Sequence, residues 1–298
     1  MKHSDKKIFG YFGSKFSSDE RFCPGIQEFQ ERVLSYYEEY GRDMPWRHTS
    51  DPYQILVSEI MLQQTQVERV ILKFPEFITT FPNFSALATA TLGDVLTAWQ
   101  GMGYNRRAIS LQKCAVRVLT EQNGILPADV DKLVTFPGIG RATASSIAAF
   151  AFNMPVVFIE TNIRRVFIHF FFTGTETVSD SAILPLVEQT LYRTNPRIWY
   201  WALMDLGSAL KKVVANPNRR SAHYTKQSPF EGSDRKIRGM IIRMILKRPE
   251  IMEEEFLCLP NADPARIKKI LSSLESEGFL SKDNRRFFLS QRTGLKKL

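Results

Sequence analysis

Apolar positions recur along this chain at i, i+3, i+4 and i+7 almost without interruption, while the alternation of a half-buried strand is scarce. In the stretch 26–40, Ile26, Phe29, Val33, Tyr36 and Tyr37 share one helical face. The spacing predicts a second helix over 51–74, with Asp51 as N-cap and Pro52 at the first helical position. Further helices are predicted over 83–89, 92–100, 105–122, 130–136, 141–152, 161–170, 181–191 and 198–213, joined by short connections marked by Gly, Pro or Asn. A strand-like apolar run occupies 155–159. Residues 215–233 are polar, carry two prolines and read as a basic linker. Beyond it, helical patterns over 235–247 and 264–277 lead into a small hairpin pattern within 281–290, so 234–298 resembles a winged-helix module. Residues 1–24 read as an N-terminal arm. The expected class is all-α, with a small α+β module at the end.

Length and composition narrow this picture only slightly. A chain of 298 residues can bury two modest cores, and 44% hydrophobic with 24% charged residues is ordinary for a globular protein. Cys23, Cys114 and Cys258 stand far apart, without metal-ligand spacing, which points to a reducing, cytoplasmic setting. No apolar run is long enough to span a membrane, and the start of the chain lacks a secretory core. Charge is more informative. The net +9 is carried entirely by 211–248, where eleven Lys and Arg face only Glu231 and Asp234. Such a concentration suits a polyanion such as DNA, or else a solvated linker followed by a charged helix.

Chemistry enters at three places. Pro137-Gly138-Ile139-Gly140 sits between two helical patterns, so the stretch reads as helix, tight hairpin, helix. Glycine permits positive φ and close approach, and the amides opening the second helix, at Arg141 and Thr143, suit an anion such as a DNA phosphate. A plain helix–helix turn would look the same. Second, Glu59 interrupts the apolar run 55–62, with Gln63 four residues on along the same face. Partial burial disfavours the charged form of a carboxylate and suits a general acid; a surface glutamate on an amphipathic helix is the alternative. Third, Glu160 follows the strand-like run and precedes Thr161 and Asn162, where helix amides stabilise an anion. An acid paired with an anion is how glycosidic bonds are commonly cleaved, though Glu160 alone could be no more than a helix cap.

Seven blocks in order carry a resemblance: MPWR (44–47), DPY (51–53), SEIMLQQTQV (58–67), GMGYNRRA (101–108), FPGIGRATA (136–144), ETNIRRV (160–166) and MDLG (204–207). Over about 25–212 the chain resembles the helix-hairpin-helix DNA glycosylases, and among them the MutY-type adenine glycosylases. The resemblance implies a two-lobed helical fold that flips a damaged or mispaired base of duplex DNA into a pocket. It implies that Glu59 protonates the purine or positions water, that Glu160 stands at the catalytic aspartate position, and that Asn162 is its active-site neighbour. Gln64 and Tyr104 match residues that wedge into the duplex, and Trp46 and Arg47 match the entry to the base pocket, which Gln63 lines. The hairpin binds phosphate, with help from a monovalent cation. The expected partner is duplex DNA, and the expected state is a monomer.

Four departures qualify the resemblance. Relatives that also cut the backbone carry lysine where this chain has Ala142, so a monofunctional glycosylase is expected. Most MutY-type relatives bind a four-iron cluster through four cysteines after the MDLG helix, whereas no cysteine occurs here between Cys114 and Cys258, so no iron–sulfur cluster is expected. Glutamate replaces aspartate at 160, which moves a carboxylate by about 1.5 Å, one carbon–carbon bond. The domain that reads 8-oxoguanine is replaced by 235–298. The leading expectation is removal of adenine opposite 8-oxoguanine, or of another purine such as hypoxanthine. A thymine or uracil mismatch glycosylase and a non-catalytic lesion binder are the alternatives.

Overall fold

A computed structural model of the chain describes residues 24–172, 174–225, 230–260 and 263–291; the expected N-terminal arm lies outside them up to Cys23. In chain order the helices begin with α1 (Pro24–Tyr40), α2 (Pro52–Leu62), α3 (Val67–Thr80), α4 (Phe84–Thr89) and α5 (Leu92–Ala98). Next come α6 (Arg106–Glu121), α7 (Val130–Val134), α8 (Arg141–Phe152), α9 (Thr161–Phe171), α10 (Asp180–Thr190) and α11 (Pro196–Val213). The C-terminal part runs α12 (Asp234–Lys247), β1 (Glu250–Met252), α13 (Glu253–Leu257), α14 (Pro264–Ser276), β2 (Leu280–Asp283) and β3 (Arg286–Leu289). No helix among the described residues is long and apolar enough to cross a membrane.

The described residues divide into two compact units, the first within 1–50, 128–131 and 140–226, the second within 51–127, 132–139 and 227–298. In the first, α1 and α9 pack on α11. Phe29, fully buried on α1, meets the rings of Phe167, Phe170, Phe171 and Trp199 with centroids 5.0–5.9 Å away. Truncating such a side chain to alanine costs about 3–5 kcal/mol. Helix α8 is small-residue rich and buried from Ala144 to Ala151; it stops at Asn153, which takes the left-handed conformation asparagine tolerates.

The second unit is built on α2, α3, α5 and α6. Asp51 caps α2 by accepting from the Tyr53 amide at 2.9 Å, and the helix is buried nearly all round because Tyr53, Ile55, Leu56, Val57, Ser58, Ile60 and Met61 all face neighbours. The single helix expected over 51–74 is two. The polar run Gln63-Gln64-Thr65-Gln66 breaks it, and the second half runs through Pro75 to Thr80.

The C-terminal residues take their own winged-helix arrangement. Strands β1, β3 and β2 lie antiparallel in that order, with Ile251 and Lys282 both opposite Phe287. The hairpin expected from sequence is present; β1 and α13, too short to show periodicity, were not expected. These residues group with the second unit, and α12 packs on α5. Two other expectations are corrected. Residues 155–159 form no strand, and the Val156 carbonyl accepts from the Tyr200 hydroxyl at 2.6 Å instead. The front of the expected linker is structured: a 3-10 turn at Pro217–Arg220 is followed by a bridge between Val178 and Ser221.

Candidate functional site

Glu160 is the N-cap of α9, as its position before Thr161 predicts. Its carboxylate accepts from the amides of Asn162 at 2.6 Å and Ile163 at 2.9 Å, and from the Asn162 side chain at 3.3 Å. Its ionisation departs from expectation. Burial pushes the carboxyl above the ordinary range, and the two amides together with Arg165 and Arg164 only partly oppose it. Arg165, 4% exposed, donates to the Asn162 side chain at 2.7 Å, to the Gly207 carbonyl at 2.6 Å and to Asn216 at 3.2 Å. Gly207, from the MDLG block, is required by close approach, since a Cβ there would lie 2.3 Å from the Asn162 carbonyl. One polar network therefore fixes Asn162 and the residue beside it.

In the same unit Trp46 and Arg47 close a 3-10 turn, Pro45–Arg47, with Trp46 buried and Arg47 half-buried. The Arg47 guanidinium grips Asp205 through two bonds of 2.8 Å, donates to the Arg42 carbonyl, and lies within 5.6 Å of the Tyr37 and Trp201 ring centres. Burial alone would raise the Asp205 carboxyl, but Arg47 and Arg42 outweigh it and hold it below the ordinary range. Arg47 thus ties the 42–47 segment to α11.

In the second unit Glu59 is half-buried on α2, between the fully buried Ser58 and Ile60. Gln64 and Tyr104, the two residues matched to duplex wedges, share a feature that sequence could not show: both have left-handed backbones, with φ of 53° and 47°. Neither residue type favours that region, and such strain concentrates at functional positions. One side chain holds both loops. Arg107 donates to the carbonyls of Ile60, Met61 and Gln63 and to the Thr65 hydroxyl on one loop, and to the carbonyls of Met102 and Gly103 on the other, at 2.6–3.2 Å. It thereby satisfies the carbonyls left open where α2 stops. Burial draws its guanidinium down to about 10.

The hairpin also belongs partly to this unit. Gly138 has φ of 78°, and a Cβ there would meet Ser110 at 2.8 Å. The Pro137 carbonyl accepts from the Cys114 thiol, which burial raises to about 12, so this cysteine serves packing. Ile139 is buried, and its amide donates to the Phe136 carbonyl. Gln63, expected to line the base pocket, donates to the Gly138 carbonyl at 3.2 Å. In the first unit, Gly140 caps α8 in an extended conformation, no side chain caps that helix, Arg141 pairs with Asp131 at 2.6 Å, and Thr143 is half-buried. Glu59 and Glu160 thus lie in different units, each in a defined setting.

Residues 57–183 match the HhH-GPD superfamily of base excision DNA repair proteins. The adenine DNA glycosylase of Mycolicibacterium smegmatis is 33% identical over 266 residues, covering 83% of this chain and 91% of its own length. The chain belongs to this superfamily. The Mycobacterium tuberculosis adenine DNA glycosylase is 45% identical over 135 residues, 45% of this chain and 44% of that protein, so here the match spans less than half of the relative. The fold is similar to that of a thermostable thymine-DNA glycosylase, with a TM-score of 0.57, 26% identity, and coverage of 61% of this chain and 86% of that one.

Within this superfamily, the cysteine-held cluster expected of most MutY-type relatives does not fit the residues present. The segment after α11 offers no cysteine. It is secured by Arg220, which donates to the carbonyls of Ile168 and Phe172 at the end of α9, and by Asn218, which donates to the Thr161 carbonyl at 2.8 Å. Arg107, Asp205 and Arg165 went unassigned at the level of sequence. Asp205 had a readable signal, a lone charge in the apolar run 201–206; Arg107 and Arg165 had none, because Arg107 bonds mainly to backbone carbonyls and Arg165 reaches Gly207 and Asn216 only through the fold.

Proposed function

We propose that this protein is a monofunctional DNA glycosylase that removes a mispaired adenine from duplex DNA. The observation that carries the reading is the Glu160 carboxyl: half-buried at the start of α9, it is held by two amides and the Asn162 side chain with arginines nearby, and desolvation still raises it. A plain cap needs no such network, and a perturbed acid in a built polar network is a candidate functional group. The adenine DNA glycosylases of Mycolicibacterium smegmatis and mouse, the latter 31% identical over 80% of this chain and 49% of its own, support adenine as the base.

In this mechanism the base is unstacked with Gln64 and Tyr104 filling the duplex, and the amides of α8 and the hairpin take a phosphate. The bond between the sugar C1′ and the purine N9 breaks, and its electron pair leaves with the base. Glu59 supplies the proton that neutralises the departing purine, and Glu160, ionised once the pH exceeds its raised range, stabilises the cationic sugar. Water then adds to C1′ and returns a proton to Glu59, leaving adenine and an abasic site. With Ala142 where a nucleophilic lysine would stand, the strand stays intact. The chemistry is assigned to these carboxylates without an iron–sulfur cluster.

Single-turnover release from duplexes carrying adenine, hypoxanthine, thymine or uracil, opposite guanine or 8-oxoguanine, tests this. Adenine release with strand breaks appearing only after alkali is the expected result. The fold likeness to a thymine-DNA glycosylase supplies the second reading, and preferential release of thymine or uracil opposite guanine would establish it. Tight lesion binding without any release would leave a non-catalytic binder.

A further inference from the structure

The C-terminal module has a winged-helix-like arrangement, but the cations of its wing are paired within it. In and around the wing, Lys282 pairs with Glu253 at 2.7 Å, Arg285 with Glu254 at 2.8 Å and Arg286 with Glu250 at 3.0 Å. Beside them Arg248 pairs with Glu255, and on α14 Arg266 pairs with Asp234, both at 2.6 Å. A wing whose cations already hold carboxylates is poorly placed to release phosphate counterions.

The start of α12 behaves differently. Arg235, in its first turn, donates to the Tyr104 hydroxyl and lies 5.3 Å from the centre of that ring. Two residues beyond Tyr104, Arg106 forks onto Glu277 at 2.5 and 2.6 Å, and Arg238 of α12 forks onto the same carboxylate at 2.9 and 2.5 Å. Burial opposes the Glu277 charge, yet Arg106, Arg238 and Ser273 outweigh it and pull the carboxyl down to about 2. The module therefore grips this region twice, once at Tyr104 in the loop before α6 and once at Arg106, the first residue of α6.

We propose that Arg235 is a positioning residue for the wedge: it holds Tyr104 in its left-handed conformer, so the C-terminal module sets how readily the protein opens a mispair. The proposal rests on the glycosylase reading only for the role of Tyr104. A guanidinium over a tyrosine ring opposes the conformational penalty of positive φ and fixes the ring for stacking between bases. Arg107, 5.5 Å from the same ring centre, holds the loop backbone, while Arg235 reaches the hydroxyl end of the side chain.

The test uses full-length wild type, Arg235→Ala, Arg235→Lys, Tyr104→Phe, the Arg235→Ala/Tyr104→Phe double variant, and Arg285→Ala. The probes are a duplex with 2-aminopurine beside a mispaired adenine and a duplex with a tetrahydrofuran abasic analogue. Arg235→Ala is expected to weaken the unstacking signal and base release about tenfold, the scale of a lost cation–π contact and hydrogen bond, while affinity for the abasic analogue, with no base to open, stays near wild type. Arg235→Lys recovers part of the signal, the loss shrinks in the Tyr104→Phe background, and Arg285→Ala matches wild type. Equal loss on both duplexes, an unchanged Arg235→Ala signal, or a matching loss in Arg285→Ala overturns the proposal. Wild type that unstacks the mispair without releasing any base would overturn the glycosylase reading alone; release with Arg235→Ala unaffected would overturn this one alone.

Discussion

The Glu160 network and the Gln64 and Tyr104 loops are built on opposite principles. Around Glu160 the polar groups hold one another: amides hold the carboxylate, Arg165 holds Asn162, and Gly207 lets two backbones approach. Around Gln64 and Tyr104 the backbone is strained, and the order comes from outside the loops, from Arg107 and Arg235. A group that stabilises charge must not relax at the moment of reaction, which favours a closed network. A side chain that enters DNA must be presented in one fixed pose, which favours a strained perch with a firm support behind it.

This contrast can be broken from either side. Replacing Glu59 by Gln is expected to reduce adenine release about 10³-fold, within the range of a lost general acid, with duplex affinity nearly intact; single-turnover rates and a binding titration check both halves. If affinity falls in step, Glu59 is structural. Glu160→Gln is expected to slow release about 10²-fold, as for a lost electrostatic stabiliser, again with little change in affinity. It carries a stability signature as well. The raised carboxyl contributes stability while protonated, below the ordinary carboxylate range, and that contribution is lost as pH rises through the raised value. The variant should therefore melt above wild type near neutral pH, and the gap should close in acid. For the same reason the acid limb of the wild-type rate profile should lie above the ordinary glutamate range and vanish in the variant.

On the other side of the comparison the expected effects are smaller and fall on stability. Arg107→Met strands the carbonyls of two loops and should lower unfolding free energy by about 3 kcal/mol, read from denaturant midpoints. Gln64→Gly should do the reverse, stabilising by up to about 1 kcal/mol through relief of the left-handed backbone while weakening discrimination of mispaired from matched duplex. A Gln64→Gly protein that is less stable than wild type would show that the loop carries no stored strain.

Local physics made much of this protein legible before its structure. The helix over 141–152 could be read with its bounds because small apolar residues follow a glycine cap and end at Asn153. Glu160 could be read as a cap because it stands between an apolar run and a helix start. The hairpin of the C-terminal module showed in its turn residues. All of these depend on neighbours within a few positions. What the tertiary structure alone decided depends on distant partners. The break at Gln63–Gln66 is stabilised by an arginine more than forty residues away, the MDLG glycine is demanded by the Asn162 carbonyl, and Glu160 is pushed toward protonation by burial that no periodicity reports. The grip of Arg235 on Tyr104 spans 131 positions of sequence. Desolvation and carbonyl satisfaction are sums over whatever the fold brings near, so they become readable only once the chain is packed.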